Sequence, residues 1–86
     1  MLYHASVLVF LKEGVLDTQG KAVGAVLHDA GHAEVRDVRI GKYIRLRIEA
    51  PSLEDATRSA RTVCDDLLVN GIIEEFTVDV REEDDA

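Results

Sequence analysis

Tryptophan is absent from this 86-residue chain, and proline, cysteine and methionine occur once each. A single cysteine, Cys64, permits no internal disulfide, which fits a reducing compartment. Aromatics make up 5% of the residues, so the core is built from small and aliphatic side chains. A chain of this size buries only about 60–65% of its unfolded surface, and self-association is a common way to add stability. No apolar run approaches the ~20 residues of a membrane span, and no basic stretch precedes an apolar segment at the N-terminus. Both points predict a cytoplasmic protein that does not engage a membrane. Positive charge is also scarce. The net charge is −7, with four of the acids at Glu82, Glu83, Asp84 and Asp85. Without a basic stripe to neutralise phosphates, nucleic acid is excluded as a partner. No GxGxxG, Walker loop or CxxC motif is present, and the missing CxxC argues against a metal chaperone.

What is present reads as alternating strands and helices. Tyr3, Ala5, Val7, Val9 and Leu11 share one face of a strand, with His4, Ser6, Leu8, Phe10 and Lys12 on the other. The first face is core; the second carries Leu8 and Phe10 where a solvated face would be polar. Lys12-Glu13-Gly14 forms a turn, and Asp17 or Thr18 caps a helix running to about Ala30, ended by Gly31. Ala22, Val23, Val26, Leu27 and Ala30 form its predicted core stripe. Gly20 lies inside the first turn at a cost of about 1 kcal/mol relative to alanine. Packing alone would not ask for it, so its position predicts a close approach to the backbone.

Val38 and Ile40 alternate as a second strand, delayed or bulged because Val35 is out of phase. Gly41-Lys42 is predicted to form a type II′ hairpin turn into a third strand. There Ile44, Leu46, Ile48 and Ala50 face inward and Tyr43, Arg45, Arg47 and Glu49 outward. Pro51 stops it, and Ser52 to Asp55 is a capping box for a second helix. The predicted buried stripe of that helix is Leu53, Ala56, Ala60, Val63, Cys64, Leu67 and Leu68. Asn70-Gly71 closes it before a last strand with Phe76, Val78 and Val80 on one side. The order is βαββαβ. It predicts an α+β, ferredoxin-like sandwich: a four-stranded antiparallel sheet in order 4-1-3-2 with both helices on one face. Residues 1–81 form one domain, and residues 82–86 are an acidic tail expected to be disordered. The other face of the sheet is left open, with Leu8, Phe10 and Tyr43 on it, and this tilts the reading toward self-association.

No convergent nucleophile and base stand out. Cys64 lies on a predicted core stripe, where a small thiol packs as an apolar group. His28 and His32 are spaced for a metal, but Gly31 ends the helix between them and no third ligand is evident. Asp65-Asp66 and Glu74-Glu75 are adjacent pairs whose side chains diverge. Neither a cofactor nor a metal is expected.

Three segments together resemble one family. Leu11 to Val23, with its Leu16-Asp17-Thr18-Gln19-Gly20 run, is the most specific. The Val38-Arg39-Ile40-Gly41-Lys42-Tyr43-Ile44 hairpin and the stretch from Cys64 to Glu74 follow in order. They are similar to the small PurS subunit family of phosphoribosylformylglycinamidine synthase, over about residues 3 to 80. Thr18 and Gly71 depart from the family, which usually has proline at both places. The resemblance implies a PurS-like domain that is a non-catalytic part of a glutamine- and ATP-dependent ligase in purine biosynthesis. It implies a homodimer or homotetramer that bridges a glutaminase subunit and a large synthetase subunit so that ammonia passes between them. The expected partner contacts are Lys12, Asp17, Gln19, Gly20, Lys21, Arg39, Lys42 and Tyr43. Expected self-association contacts are His4, Leu8, Phe10 and Arg45. A small-molecule sensor of the ACT type shares the βαββαβ order and is the rival reading, with Gly14 and Gly20 beside its ligand.

Overall fold

The computed structural model describes residues 1–83. The elements run β1 (Leu2–Leu11), α1 (Thr18–Asp29), β2 (Lys42–Glu49), α2 (Leu53–Val63), a π-helical turn (Cys64–Leu68) and β3 (Glu74–Glu82). β1 lies in the middle of a sheet of order β2-β1-β3, antiparallel to both neighbours. Its strict alternation is therefore stabilised from both sides, and Tyr3, Ala5, Val7 and Val9 are at most 1% exposed. Ser6 stands opposite Arg45 on one side and Asp79 on the other.

α2 covers the inner face. Ser52 caps it, its hydroxyl accepting from the Asp55 N–H at 3.2 Å, while Arg58 pairs with Glu54 and Asp55 on the outer side. Ala56, Ala60 and Cys64 are fully buried, and small side chains there let the helix lie close on the strands. Two core clusters result. Tyr3, Ala50 and Ala56 form one, with Ile48 and Val80 against it; Val7, Val9 and Cys64 form the other, with Leu68, Phe76 and Val78 among their neighbours.

Four expectations are corrected. First, no residue between Gly31 and Gly41 is in a strand, so the described sheet has three strands and not four in order 4-1-3-2. A type II′ turn needs positive φ at its glycine, and Gly41 does not adopt it. Gly41 is instead laid against β1, where a Cβ would stand 2.5 Å from the Val9 carbonyl oxygen.

Second, the two helices do not share a face of the sheet. Only α2 packs on the strands; α1 packs along neither α2 nor any strand, and none of its residues belongs to a core cluster. Its predicted core stripe is accordingly open, with Val26 67% exposed.

Third, Leu53 and Leu67 leave the α2 stripe. At Leu67 the cause is the π turn, closed by the Val69 N–H donating to the Cys64 carbonyl five residues back at 3.0 Å. The wider turn brings Leu68 beneath Cys64 and rotates Leu67 out to 82% exposure. Leu53, the first residue of α2, is also exposed.

Fourth, Glu82 and Glu83, expected in a disordered tail, are held at the sheet. β3 runs through Glu82, and the Glu83 N–H donates to the Leu2 carbonyl at 2.9 Å. Residues 84–86, the rest of the expected tail, lie outside the described residues.

Candidate functional site

The turn between β1 and α1 is set by Gly14, at φ +88°, and by the Val15 N–H donating to the Lys12 carbonyl. It delivers Asp17 to the N-terminus of α1. One carboxylate oxygen accepts from the Gly20 N–H at 2.7 Å, which is helix capping. The other accepts from the Ile40 N–H, also at 2.7 Å, so one side chain ties the helix start to the segment leading into β2. These two donors, Gly20 first and then Ile40, hold the Asp17 carboxyl below its usual range, and Arg39 adds electrostatic attraction. At the far end of α1 the Gly31 N–H donates to His28 and the His32 N–H to Leu27, with Gly31 at φ +97°. That is a Schellman ending.

Gly20 is explained by the same knot. A Cβ there would overlap the Val38 carbonyl oxygen and come 2.7 Å from an Asp17 carboxylate oxygen. The close approach expected from the sequence is real, and what approaches is the chain itself. Gly24, one turn on, faces only the Val38 side chain at ordinary contact distance.

The expected contact residues fall into three groups. Asp17 and Gly20 shape the knot from beneath, and Gly20 is buried. Lys12 and Arg39 are accessible but already bonded within the chain. Lys12 Nζ donates to the Gly71 carbonyl at 2.8 Å, and Arg39 Nη2 donates to the Leu11 carbonyl at 2.7 Å. Gln19, Lys21, Lys42 and Tyr43 present side chains outward, Lys42 standing 3.6 Å from Glu74. An open cleft of about 640 Å³ lies between α1 and residues 35–39, with Leu16, Lys21, His28 and Arg36 among its lining. A smaller one of about 260 Å³ brings Gln19 and Lys42 together with Phe10. The knot therefore joins the first and second resemblance segments, although the second does not form the expected hairpin.

The open sheet face assembles the second set. His4, Leu8 and Phe10 of β1 line up with Tyr43 and Arg45 of β2, and Leu8 and Tyr43 are more than half exposed. The Tyr43 hydroxyl donates to Ser6 Oγ at 3.2 Å. Sequence reasoning missed Glu83, which crosses this face to meet Arg47 at 3.0 Å and His4 at 3.3 Å. The Arg47 hydrogen bonds are the main reason its carboxyl sits below the usual range. A run of four acids gives no sign that one of them reaches back over two strands. Sequence reasoning also missed Ile40 as a backbone donor, since its pattern reads as a strand residue.

Cys64 is buried, and burial raises its thiol above the ordinary value. No group of three metal-ligating side chains is found among the described residues, and no described helix is long and apolar enough to cross a membrane.

Comparison with known proteins matches residues 4–82 to the PurS family model, described as phosphoribosylformylglycinamidine (FGAM) synthase. The phosphoribosylformylglycinamidine synthase subunit PurS of Bacillus subtilis (strain 168) is 46% identical over 81 residues, covering 94% of this chain and 95% of the relative. The same subunit of Synechocystis (strain PCC 6803) is 42% identical over 78 residues, covering 91% and 78%. Among solved structures, Bacillus subtilis PurS superposes with a TM-score of 0.84 over 93% of this chain and 99% of that one, at 46% identity. A chain of PurLQS from Thermotoga maritima gives 0.88 over 94% and 99%, at 31% identity.

Proposed function

We propose, from a chain that belongs to the PurS family of phosphoribosylformylglycinamidine synthase, that it serves as the small subunit of that synthase in purine biosynthesis. The observation that carries the reading is a family match spanning residues 4–82, nearly the whole chain. A solved PurLQS assembly contains a chain of the same shape, and this supports a role within a complex with PurL- and PurQ-type subunits. This reading takes the place of the amino-acid sensor, which no observation on the molecule favours. The subunit works in the cytoplasm, with the enzymes of the same pathway.

Its task is to hold a glutaminase and an ATP-dependent synthetase together. Ammonia released by the first must reach the second before it is protonated and loses its nucleophilicity, so a sealed junction is chemically useful. The geometry supports division of labour around Asp17. Asp17 and Gly20 fix the angle at which α1 leaves the sheet, and Lys12 and Arg39 fasten the flanking loops. Gln19, Lys21, Lys42 and Tyr43 then present exposed side chains to the larger subunits. His4, Leu8, Phe10 and Arg45 support a self-association face on the open side of the sheet, Leu8 and Phe10 supplying its apolar area.

Native mass spectrometry of the chain mixed with its synthetase and glutaminase subunits tests this. A ternary complex is expected, weakened when Gln19, Lys21 and Lys42 are changed together to alanine while the isolated subunit keeps its circular dichroism. Failure to bind either larger subunit refutes the function. Unchanged binding by the triple variant refutes the contact surface.

A further inference from the structure

Asparagine occurs once in the chain, at Asn70, and the residue after it is Gly71. The pair reads as a helix stop, yet the π-helical turn ends at Leu68 and leaves both residues exposed in the connection to β3. A side-chain amide followed by glycine is open to a reaction that needs no enzyme. The glycine nitrogen attacks the amide carbon, and the approach is unhindered because glycine has no Cβ. One other amide precedes a glycine, Gln19 before Gly20. There the Gly20 N–H is held by the Asp17 carboxylate at 2.7 Å and the glycine is buried at the start of α1, so its nitrogen is engaged.

Asn70 is arranged differently. Its backbone is fixed, the N–H donating to Glu74 Oε1 at 2.8 Å and the carbonyl accepting from the Ile73 and Glu74 N–H groups at 3.1 and 2.7 Å. Its side-chain Oδ1 accepts from the Ile72 N–H at 3.1 Å. This Asx turn folds the side-chain carbonyl over the Asn70–Gly71 peptide and aims a donor at the oxygen on which negative charge develops during attack. The Gly71 N–H and the Asn70 Nδ2 group have no hydrogen-bond partner among the described residues, so neither nucleophile nor leaving group is tied. The space beside Gly71 is open, since even a Cβ there would meet nothing within 4 Å.

We infer that Asn70 is a site of spontaneous covalent modification, converted through a succinimide to aspartate and isoaspartate. The Gly71 nitrogen gives up its proton to solvent and bonds to Asn70 Cγ. The Cγ–Nδ2 bond then breaks, and the amide nitrogen takes up a proton and leaves as ammonia. Water opens the ring at either carbonyl. The net change is amide plus water to carboxylic acid plus ammonia, with nothing oxidised or reduced. The isoaspartyl product lengthens the main chain by one carbon and places a free carboxylate where the Asn70 carbonyl met the Glu74 N–H. It also displaces Gly71, whose carbonyl accepts from Lys12 Nζ at 2.8 Å. The reaction therefore loosens the clasp between this connection and the turn that leads into α1. None of this chemistry depends on which larger subunits the protein joins.

Ageing the full native chain at neutral pH, read by peptide mass spectrometry, tests it. Asn70 is expected to show the mass change of an amide turned to an acid, and an isoaspartyl methyltransferase to label the product. Hydroxylamine added during ageing should cut the chain between residues 70 and 71, at the succinimide. Gly71→Ala should slow conversion about tenfold or more, a barrier rise of about 1.4 kcal/mol. That variant is expected to fold, because Gly71 does not use positive φ and has room for a methyl group. In the isoaspartyl chain the Lys12 amide, which donates to the Ile73 carbonyl at 2.8 Å, should exchange its hydrogen faster. An Asn70 that converts in urea but not in the folded chain would overturn the inference. So would an unchanged rate in Gly71→Ala, aspartate formed without isoaspartate, or modification at Gln19 in its place. Unchanged Lys12 exchange in the modified chain would overturn the loosening.

Discussion

Gly20 and Gly24 lie one turn apart on α1, and alanine at the two positions is expected to change stability in opposite directions. In an isolated helix each replacement would gain about 1 kcal/mol. At Gly24 the new methyl meets Val38 Cγ2 at 3.7 Å, an ordinary contact, so most of that gain should survive. At Gly20 the methyl overlaps the Val38 carbonyl oxygen and crowds the Asp17 carboxylate. Neither neighbour can yield cheaply, because one is backbone and the other is held by two N–H donors. Overpacking against fixed atoms costs up to about 3 kcal/mol, which leaves a net loss of about 2 kcal/mol after the propensity gain. In a domain of this size that lowers the melting temperature by roughly 8–15 °C, whereas Gly24→Ala should raise it by up to about 8 °C. Both variants and the wild type should be melted at one protein concentration, because association contributes to apparent stability. If Gly20→Ala melts at or above the wild type, residues 38–40 do not press on the helix as described, and the account of the knot is wrong.

Asp17 and Glu83 both have lowered carboxyl pKa values in the folded chain. Their stabilisation is therefore present above the unfolded value near ~4 and is lost as pH falls through the folded one. Urea midpoints between neutral and strongly acidic pH should show that acid limb, and Asp17→Asn should flatten it. The Cys64 thiol should resist an aromatic disulfide reagent in native buffer and react completely in denaturant. Equal rates in the two conditions would contradict its burial. On the π turn, Leu68→Ala should cost about 2 kcal/mol by urea unfolding and Leu67→Ala under about 0.5 kcal/mol. Similar losses would mean that the turn is an ordinary α-helix.

Much of the fold is legible because local rules and tertiary structure agree. β1 alternates cleanly because it is paired on both sides, and Ser52, Asp17 and Gly31 mark helix ends by chemistry that acts within a few residues. The missing strand is different. Gly41-Lys42 has a hairpin turn's composition, but the Ile40 N–H goes to Asp17, 23 residues away in sequence, and no local propensity reports that. α1 shows the limit of periodicity. Its apolar residues announce burial, yet nothing in their spacing says which surface supplies it. The π turn leaves no signature either, since Leu67 and Leu68 are equally apolar and only the added backbone bond decides which faces in. At the candidate site, Gly20 was recognisable as a backbone constraint, but its cause is internal. The outward residues Gln19, Lys21, Lys42 and Tyr43 were identified by resemblance to a family and not by chemistry of their own.

The central position of β1 has a kinetic consequence. Of the paired residues in this sheet, Val9 and Lys42 are the closest in sequence, and at the other extreme Tyr3 pairs with Glu82. No two of the described strands are joined by a hairpin, so no part of the described sheet can form by a short loop closure. Such topologies fold slowly, on the order of milliseconds to seconds, because the entropy of long closures is spent before any pairing rewards it. During synthesis β1 is made before both of the strands it pairs with. One edge can pair once Lys42–Glu49 has emerged, but the other stays open until Glu74–Glu82 has left the ribosome, and for that interval Val7, Val9, Leu8 and Phe10 form an apolar segment open to misassociation.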